Sequence, residues 1–143
     1  MRIVLDTNII LDTIARREPF FEQSHAVMQS VANGTVKGCI TANTVTDIYY
    51  ILRKHLDKES LKDALRGLFV LLEIAAVTHS ECVEALDLSM TDYEDALLSC
   101  CAYSWNAEYI VTRNTKDFVG SPVKALTPED FLLELQELQK DSE

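Results

Sequence analysis

The feature that most constrains this chain is its regular exchange of two hydrophobic periods. Short, mainly apolar runs rich in β-branched residues stand at Arg2–Leu5, Val36–Thr41, Ile74–Val77 and Tyr109–Thr112, with another at Val123–Leu126. Between them lie stretches whose apolar residues recur at helical spacing, such as Leu61, Ala64, Leu65, Leu68 and Leu72. A strand that is short and apolar throughout is buried on both faces, and strands separated by helices pair in parallel. The expected fold class is therefore α/β: a three-layer α/β/α arrangement around a central, mostly parallel sheet of four to five short strands. At 143 residues the chain fits one domain, 1–143.

The punctuation agrees with this alternation. Asp6-Thr7-Asn8 separates the first strand from a helix carrying Ile9, Ile10, Leu11 and Ile14, and such residues cap free N–H groups. Glu18-Pro19 restarts the chain, and a helix from Phe20 to Val31 stops at Asn33-Gly34. Further helices are predicted over Asn43–His55, Ser60–Leu72, His79–Leu88 and Thr91–Tyr103. The last opens at Thr127-Pro128-Glu129-Asp130, with Thr127 as N-cap, Pro128 in the first helical position and Asp130 as the capping-box acid. The tail Asp141-Ser142-Glu143 is expected to fray.

No apolar stretch approaches the roughly 18 residues that span a bilayer, and Asp6 interrupts the only apolar run near Met1. The expectation is a soluble, cytoplasmic protein. Cys39, Cys82, Cys100 and Cys101 form no C-x-x-C pair and read as free thiols packed like small apolar side chains in a reducing compartment. The net charge of −10 by itself argues against nucleic-acid binding, which usually leaves a basic footprint. It is compatible with a cluster of metal-binding carboxylates on an acidic surface.

Open parallel sheets bind ligands beyond the carboxyl ends of their strands. Asp6 follows the first strand and Asp117 stands shortly after the fourth, so both are predicted on one rim. Asp47 lies one turn into the helix after the second strand, beside its apolar stripe. Asp95 lies in the first turns of another helix, competing with Asp92 and Glu94, and reaches the rim if that helix packs beside the first strand. Carboxylates meeting in one pocket repel, and a divalent cation removes that penalty. Hard oxygen donors select Mg²⁺ or Mn²⁺ over zinc. Taken singly, Asp6 is equally well a helix cap, while Asp47 and Asp117 read first as solvated surface acids.

Three segments carry a family resemblance. Ile3-Val4-Leu5-Asp6-Thr7-Asn8-Ile9-Ile10-Leu11-Asp12 resembles the opening of PIN domains. Asp92-Tyr93-Glu94-Asp95-Ala96-Leu97 is similar to their third acidic motif, and Tyr109-Ile110-Val111-Thr112-Arg113-Asn114-Thr115-Lys116-Asp117-Phe118 to their fourth. The run from Pro122 to Leu132 also resembles the end of bacterial members. The resemblance covers nearly the whole chain in the right order. It implies a metal-dependent ribonuclease using Mg²⁺ or Mn²⁺, of the VapC-like toxin kind, with RNA as substrate, an antitoxin protein as partner and a homodimer as assembly. By the same resemblance Asp6, Asp95 and Asp117 take metal-binding positions, while Thr112 and Asn114 support the metal or its waters. Asp47 takes the second acidic position, where members usually carry Glu. Asp is shorter by one methylene, which suggests contact to the metal through a water.

Two other classes were weighed. A haloacid-dehalogenase-type phosphatase also begins with strand-Asp, but needs a second Asp where this chain has Asn8. A catalytically weak or inactive PIN-like binding module is favoured only by Asp47. His25, His55 and His79 share no ligand spacing, and Tyr103 and Trp105 read as core or interface anchors. The runs Tyr49–Leu52 and Phe69–Leu72 read first as core, with a dimer contact or a partner-helix groove as the alternative. Arg16, Arg17, Arg53, Lys54, Arg113 and Lys116 are the candidate cations near the rim. With so few cations on so acidic a chain, RNA affinity is expected to be weak and shallow in its salt dependence. A plot of log affinity against log salt should have a slope no steeper than about −5.

Overall fold

The computed structural model describes residues 1–142. The chain runs β1 (Arg2–Leu5), α1 (Thr7–Ile14), α2 (Phe21–Ala32), β2 (Lys37–Thr41), α3 (Ala42–Leu52) and α4 (Lys58–Leu71). It continues through β3 (Glu73–Ala75), α5 (His79–Ala85), α6 (Tyr93–Ser104), β4 (Tyr109–Val111), β5 (Lys124–Leu126) and α7 (Pro128–Asp141). The five strands form one sheet in the order β3-β2-β1-β4-β5, and every pairing is parallel. After β1 the chain builds outward through β2 and β3, then returns to β1's other edge with β4. The crevice between the carboxyl ends of β1 and β4 is thus the point where strand order reverses, the usual ligand site of such sheets.

The period-two alternation of β1 divides the core. Ile3 and Leu5 face a large cluster with Ile9, Ile10, Val27, Ile40, Ile48, Leu61, Leu68 and Phe131, which brings α1, α2, α3, α4 and α7 onto one face. Val4 points the other way, packing with Cys39, Ile110, Leu98 and Ala102, and so places α6 on the opposite face. Behind α6, Ala85 of α5 meets Ala96 and Cys100. All four cysteines are free, three of them buried. Among the described residues no helix is long and apolar enough to cross a membrane.

Several boundaries differ from the sequence reading for local reasons. Helix α3 stops at Leu52 rather than His55, because the N–H groups of Lys54 and His55 bond to the carbonyls of Ile51 and Leu52 in a tightened last turn. Helix α4 begins before Ser60, because the Asp57 carboxylate accepts the Ser60 N–H at 2.9 Å and caps it. Strand β3 spans Glu73–Ala75 rather than Ile74–Val77, since its partner β2 offers pairing only as far as Thr41. Helix α5 ends at Ala85 rather than Leu88. Asp92 is the cap of α6 and not part of it. A short 3₁₀ turn at Thr115–Phe118, unanticipated in the sequence, carries Asp117. At the C-terminus α7 continues through Asp141 rather than fraying there, and Glu143 lies outside the described residues.

Gly38 shows how tightly α2 and α4 cover β2. A Cβ placed there would lie 2.9 Å from Val31 Cγ2 and 3.0 Å from Leu72 Cδ2. Val31 is β-branched on a helix, so its χ1 cannot easily swing aside. Gly38→Ala is expected to lose about 1–3 kcal/mol in urea denaturation. Gly67→Ala, inside α4 with nothing within 4 Å of its Cβ position, should gain about 0.5–1 kcal/mol. Equal effects at the two sites would contradict the packing described.

Candidate functional site

Asp6 is the N-cap of α1, standing where β1 ends at the switch point. One carboxylate oxygen accepts the Thr7 N–H at 2.8 Å. The other accepts the Thr112 hydroxyl at 2.8 Å and the Asn8 side-chain amide at 3.3 Å. The capping bond uses one oxygen, and the Thr112 and Asn8 bonds the other. The Thr112 hydroxyl in turn accepts the Asn114 N–H at 3.1 Å, and the Asn8 side-chain oxygen accepts the Arg113 N–H at 3.3 Å. These bonds stitch the end of β1 to the end of β4. The sequence marks Asn8 only as a cap residue, because the Arg113 N–H and Thr112 hydroxyl it meets lie about a hundred residues away.

Around Asp6 opens a pocket of about 460 Å³, lined also by Thr7, Asn8, Leu11, Arg17, Asp47, Tyr50, Ile51, Glu94, Asp95 and Asn114. Asp47 reaches it from α3, and Asp95 from the first turn of α6, which packs against Val4 as the sequence reading required. Of the three acids near the start of α6, Asp92 is engaged as the cap, accepting the Asp95 N–H at 3.1 Å. Glu94 joins Asp95 in the pocket and touches Asp47 at hydrogen-bonding distance. Asp117 stands outside the lining, exposed on the 3₁₀ turn, yet near enough for its charge to act on Asp6 and Asp95.

The electrostatics follow from this crowding. Burial pushes the Asp6 carboxyl above the usual range, partly offset by the Thr112 and Thr7 hydrogen bonds and the Arg113 charge. Asp95 is pushed up to about 7, first by burial and then by the charges of Asp6, Asp92 and Asp117. Glu94 is likewise pushed up to about 7, first by its hydrogen bond with Asp47, then by burial and by the Asp47 charge. The only basic side chain lining the pocket is Arg17. Among the described residues no three His, Cys, Asp or Glu side chains are arranged to grip an ion directly. The donor chemistry nevertheless fits a hard, hydrated cation, which keeps several waters and needs only one or two carboxylates in direct contact.

The other candidate cations divide. Arg113 is engaged within the fold: it pairs with the fully buried Asp12 at 2.8 Å and lies 3.8 Å over the Phe20 ring. Asp12 also accepts the Ser24 hydroxyl at 3.2 Å, so α1, α2 and the segment after β4 share one buried ionic contact. An acid inside the apolar series Ile9-Ile10-Leu11-Asp12 was the available signal for such a pair. Arg53 lies 4.8 Å over Tyr50, which lines the pocket, and Arg16 lies 5.0 Å over Phe21; neither arginine is itself among the lining residues. Trp105 is partly buried under Arg2, whose guanidinium lies 3.8 Å from its ring, while Tyr103 is largely exposed.

A sequence profile for the PIN domain matches residues 2–116. Ribonuclease VapC1 of Aquifex aeolicus (strain VF5) is 24% identical over 135 residues, covering 91% of this chain and 92% of that protein. The VapBC2 structure from Rickettsia felis, bound to a promoter DNA fragment, contains a chain of similar fold: TM-score 0.69, 21% identity, 89% of this chain and 98% of that one. DNA-bound VapBC from Salmonella typhimurium gives TM-score 0.67 at 20% identity, over 90% of this chain and 98% of that one. At these identities the structural likeness is one of fold.

The raised carboxyl groups carry a stability consequence with a definite sign. A carboxyl whose pKa is raised by folding favours the folded state below its unfolded value. That contribution is lost as pH rises through the folded value. For Asp95 the window runs from 3.8 to about 7. In buffer free of divalent cations, the melting temperature should fall as pH is raised from about 5 to about 8, and fall less in Asp95→Asn. The same pH slope in both proteins would contradict the crowding described.

Proposed function

Because the chain belongs to the PIN domain family, we propose that it is a metal-dependent endoribonuclease and the toxin of a toxin–antitoxin pair. The observation that carries the reading is the meeting of Asp6, Asp47 and Asp95 in one pocket at the switch point, with Asp117 outside the lining but near enough for its charge to act on Asp6 and Asp95. A phosphodiester brings more negative charge to a place already crowded with it, so the site needs a cation before it can take its substrate. Asp6, Asp95 and Asp117 would hold Mg²⁺ or Mn²⁺, and Asp47, from the neighbouring helix, would act through water. When bound, the ion supplies a more acidic water and charge stabilisation at the phosphate.

The remaining roles belong to the chain's own groups. Thr112 and Asn8 fix the orientation of Asp6 by donating to one oxygen, which leaves that carboxylate no freedom to turn away from the pocket. Asp47 orients the attacking water and accepts its proton. Arg17 and Asn114 line the pocket and offer donors to a phosphate oxygen. The Arg113–Asp12 pair holds the segment between β4 and the 3₁₀ turn, and with it Asn114, in register with α1.

The antitoxin partner has a plausible seat of its own. An apolar groove of about 280 Å³ runs between α1, α2 and α4, lined by Ile10, Ile14, Met28, Ala64, Leu68 and Leu71 among others. The relatives VapBC2 and VapBC are complexes of this kind. An amphipathic antitoxin helix laying its apolar side in the groove suits both its lining and its shape. His25, stacked on Phe21 at 5.1 Å, also lines the groove. Of the Phe69–Leu72 run, Leu71 lines this groove while Leu72 is buried in the core, and a homodimer remains the expected assembly.

The inactive-module reading rests on Asp47 alone and makes the opposite prediction. With Mn²⁺ present, the protein should cleave single-stranded RNA, and Asp6→Asn should lower the rate about a hundredfold or more, as loss of several kcal/mol of charge stabilisation requires. RNA cleavage that survives Asp6→Asn, or parent protein that binds RNA without cutting it, would defeat the proposal.

A further inference from the structure

Another pocket, of about 200 Å³, is lined by Phe20, Gln23, Arg113, Pro128 and Glu129 among others. It shares no lining residue with the acidic pocket, but it shares the chain. Asn114, in the acidic lining, directly follows Arg113. Arg17, also in that lining, accepts the Phe20 N–H through its carbonyl at 3.0 Å. Links of one and three residues bring lining residues of the two pockets within about 11 Å of each other. That is the reach of roughly one to three nucleotides along a strand.

Phe20 is the residue here that the fold itself does not account for. It occupies the N-cap position of α2 and makes no side-chain capping bond there, where Ser, Thr, Asp or Asn would. It is 39% exposed and belongs to none of the three core clusters. Yet its ring is held in place. The Arg113 guanidinium lies 3.8 Å from the ring centroid, and Arg113 donates from Nε and Nη2 to the buried Asp12 carboxylate at 2.8 and 3.2 Å. A fixed, partly exposed aromatic ring at a cavity is what unpaired bases stack on.

The rest of the lining suits the same occupant. Gln23 and Glu129 bring an amide and a carboxylate, which pair with the donors and acceptors of a base edge. Stacking also needs no cation, on a chain whose acidic pocket is lined by a single arginine. We propose that this pocket is a nucleobase subsite: one base of single-stranded RNA, a few nucleotides from the scissile phosphate, stacks on Phe20 and is read by Gln23 and Glu129. The inference rests on the nuclease reading above. Arg113 and Asp12 are positioning residues, acting through the Phe20 ring.

The test cuts a randomised single-stranded RNA pool in the presence of Mn²⁺ and sequences the product ends. It compares the parent, Phe20→Leu, Phe20→Tyr, and Gln23→Ala combined with Glu129→Gln, with melting temperatures measured alongside. Phe20→Leu keeps an apolar side chain but loses the ring, and should slow cleavage about tenfold, while Phe20→Tyr stays within about threefold of the parent. The parent should prefer particular bases at one position near the cut, and the double variant should flatten that preference about fivefold or more. Phe20→Leu cutting as fast as the parent would overturn the proposal, and so would a preference unchanged in the double variant. A dinucleotide carrying 2-aminopurine, whose fluorescence is quenched by stacking, probes the subsite without cleavage. Quenching by the parent that is lost in Phe20→Leu and kept in Phe20→Tyr supports the subsite even if the parent cuts no RNA, and then only the nuclease reading falls. Cleavage by the parent with equal quenching in parent and Phe20→Leu removes the subsite and leaves the nuclease reading standing.

Discussion

Repulsion between carboxylates is the interaction on which the rest of this structure turns. Asp6, Asp47, Glu94 and Asp95 are brought to one pocket from β1's end, α3 and α6, with a single arginine among the lining residues. Water would separate them freely, and only a folded scaffold can hold them together. The energy for that comes from the two cores on either face of the sheet, whose buried Ile, Leu and Val side chains fix β1 between β2 and β4. The site is therefore a local destabilisation supported by burial elsewhere, a common bargain at functional sites.

The pocket's polar frame shows how the scaffold transmits that support. The Thr112 hydroxyl and Asn8 amide hold Asp6 from the β4 side, and Arg113 reaches past them to the buried Asp12. Ser24 of α2 closes the set by donating to Asp12. A buried charge pair of this kind adds little net stability against an apolar alternative, but breaking it leaves an uncompensated charge. Its contribution here is one of register: it fixes the segment after β4 against α1, so that the site's two halves stay aligned.

The acidity of the chain, at −10, and a nucleic-acid substrate are reconciled by the division of its cations. Arg113 is committed to an internal pair and Arg2 to Trp105, while Arg17 alone lines the pocket. On the proposed reading, affinity for RNA would depend on a cation held by the acids more than on a basic surface. The apolar groove between α1, α2 and α4 lies on another part of the surface and suits a different partner, because it offers almost no charge.

The sequence determined the order of strands and helices, because hydrophobic period is a local property. Arg2–Leu5 cannot pack as anything but a short buried strand, nor can the Leu61–Leu68 stretch be anything but an amphipathic helix. It also placed Asp6, Asp95 and Asp117 at or near element ends, where caps and rims occur, and Asp47 one turn into a helix. What it did not decide were the interactions that join residues far apart in the chain. Arg113 read as a surface cation until its partner, Asp12, was known to be buried beside it. Glu94 read as one of three rival acids until α6 was seen to turn it toward Asp47 while Asp92 capped the helix. Asn8 read only as a cap residue until β1 and β4 became neighbours. Period and capping act between residues a turn apart and can be read in a line of text. Electrostatic pairing acts through space, and distances through space exist only once the sheet has ordered its strands.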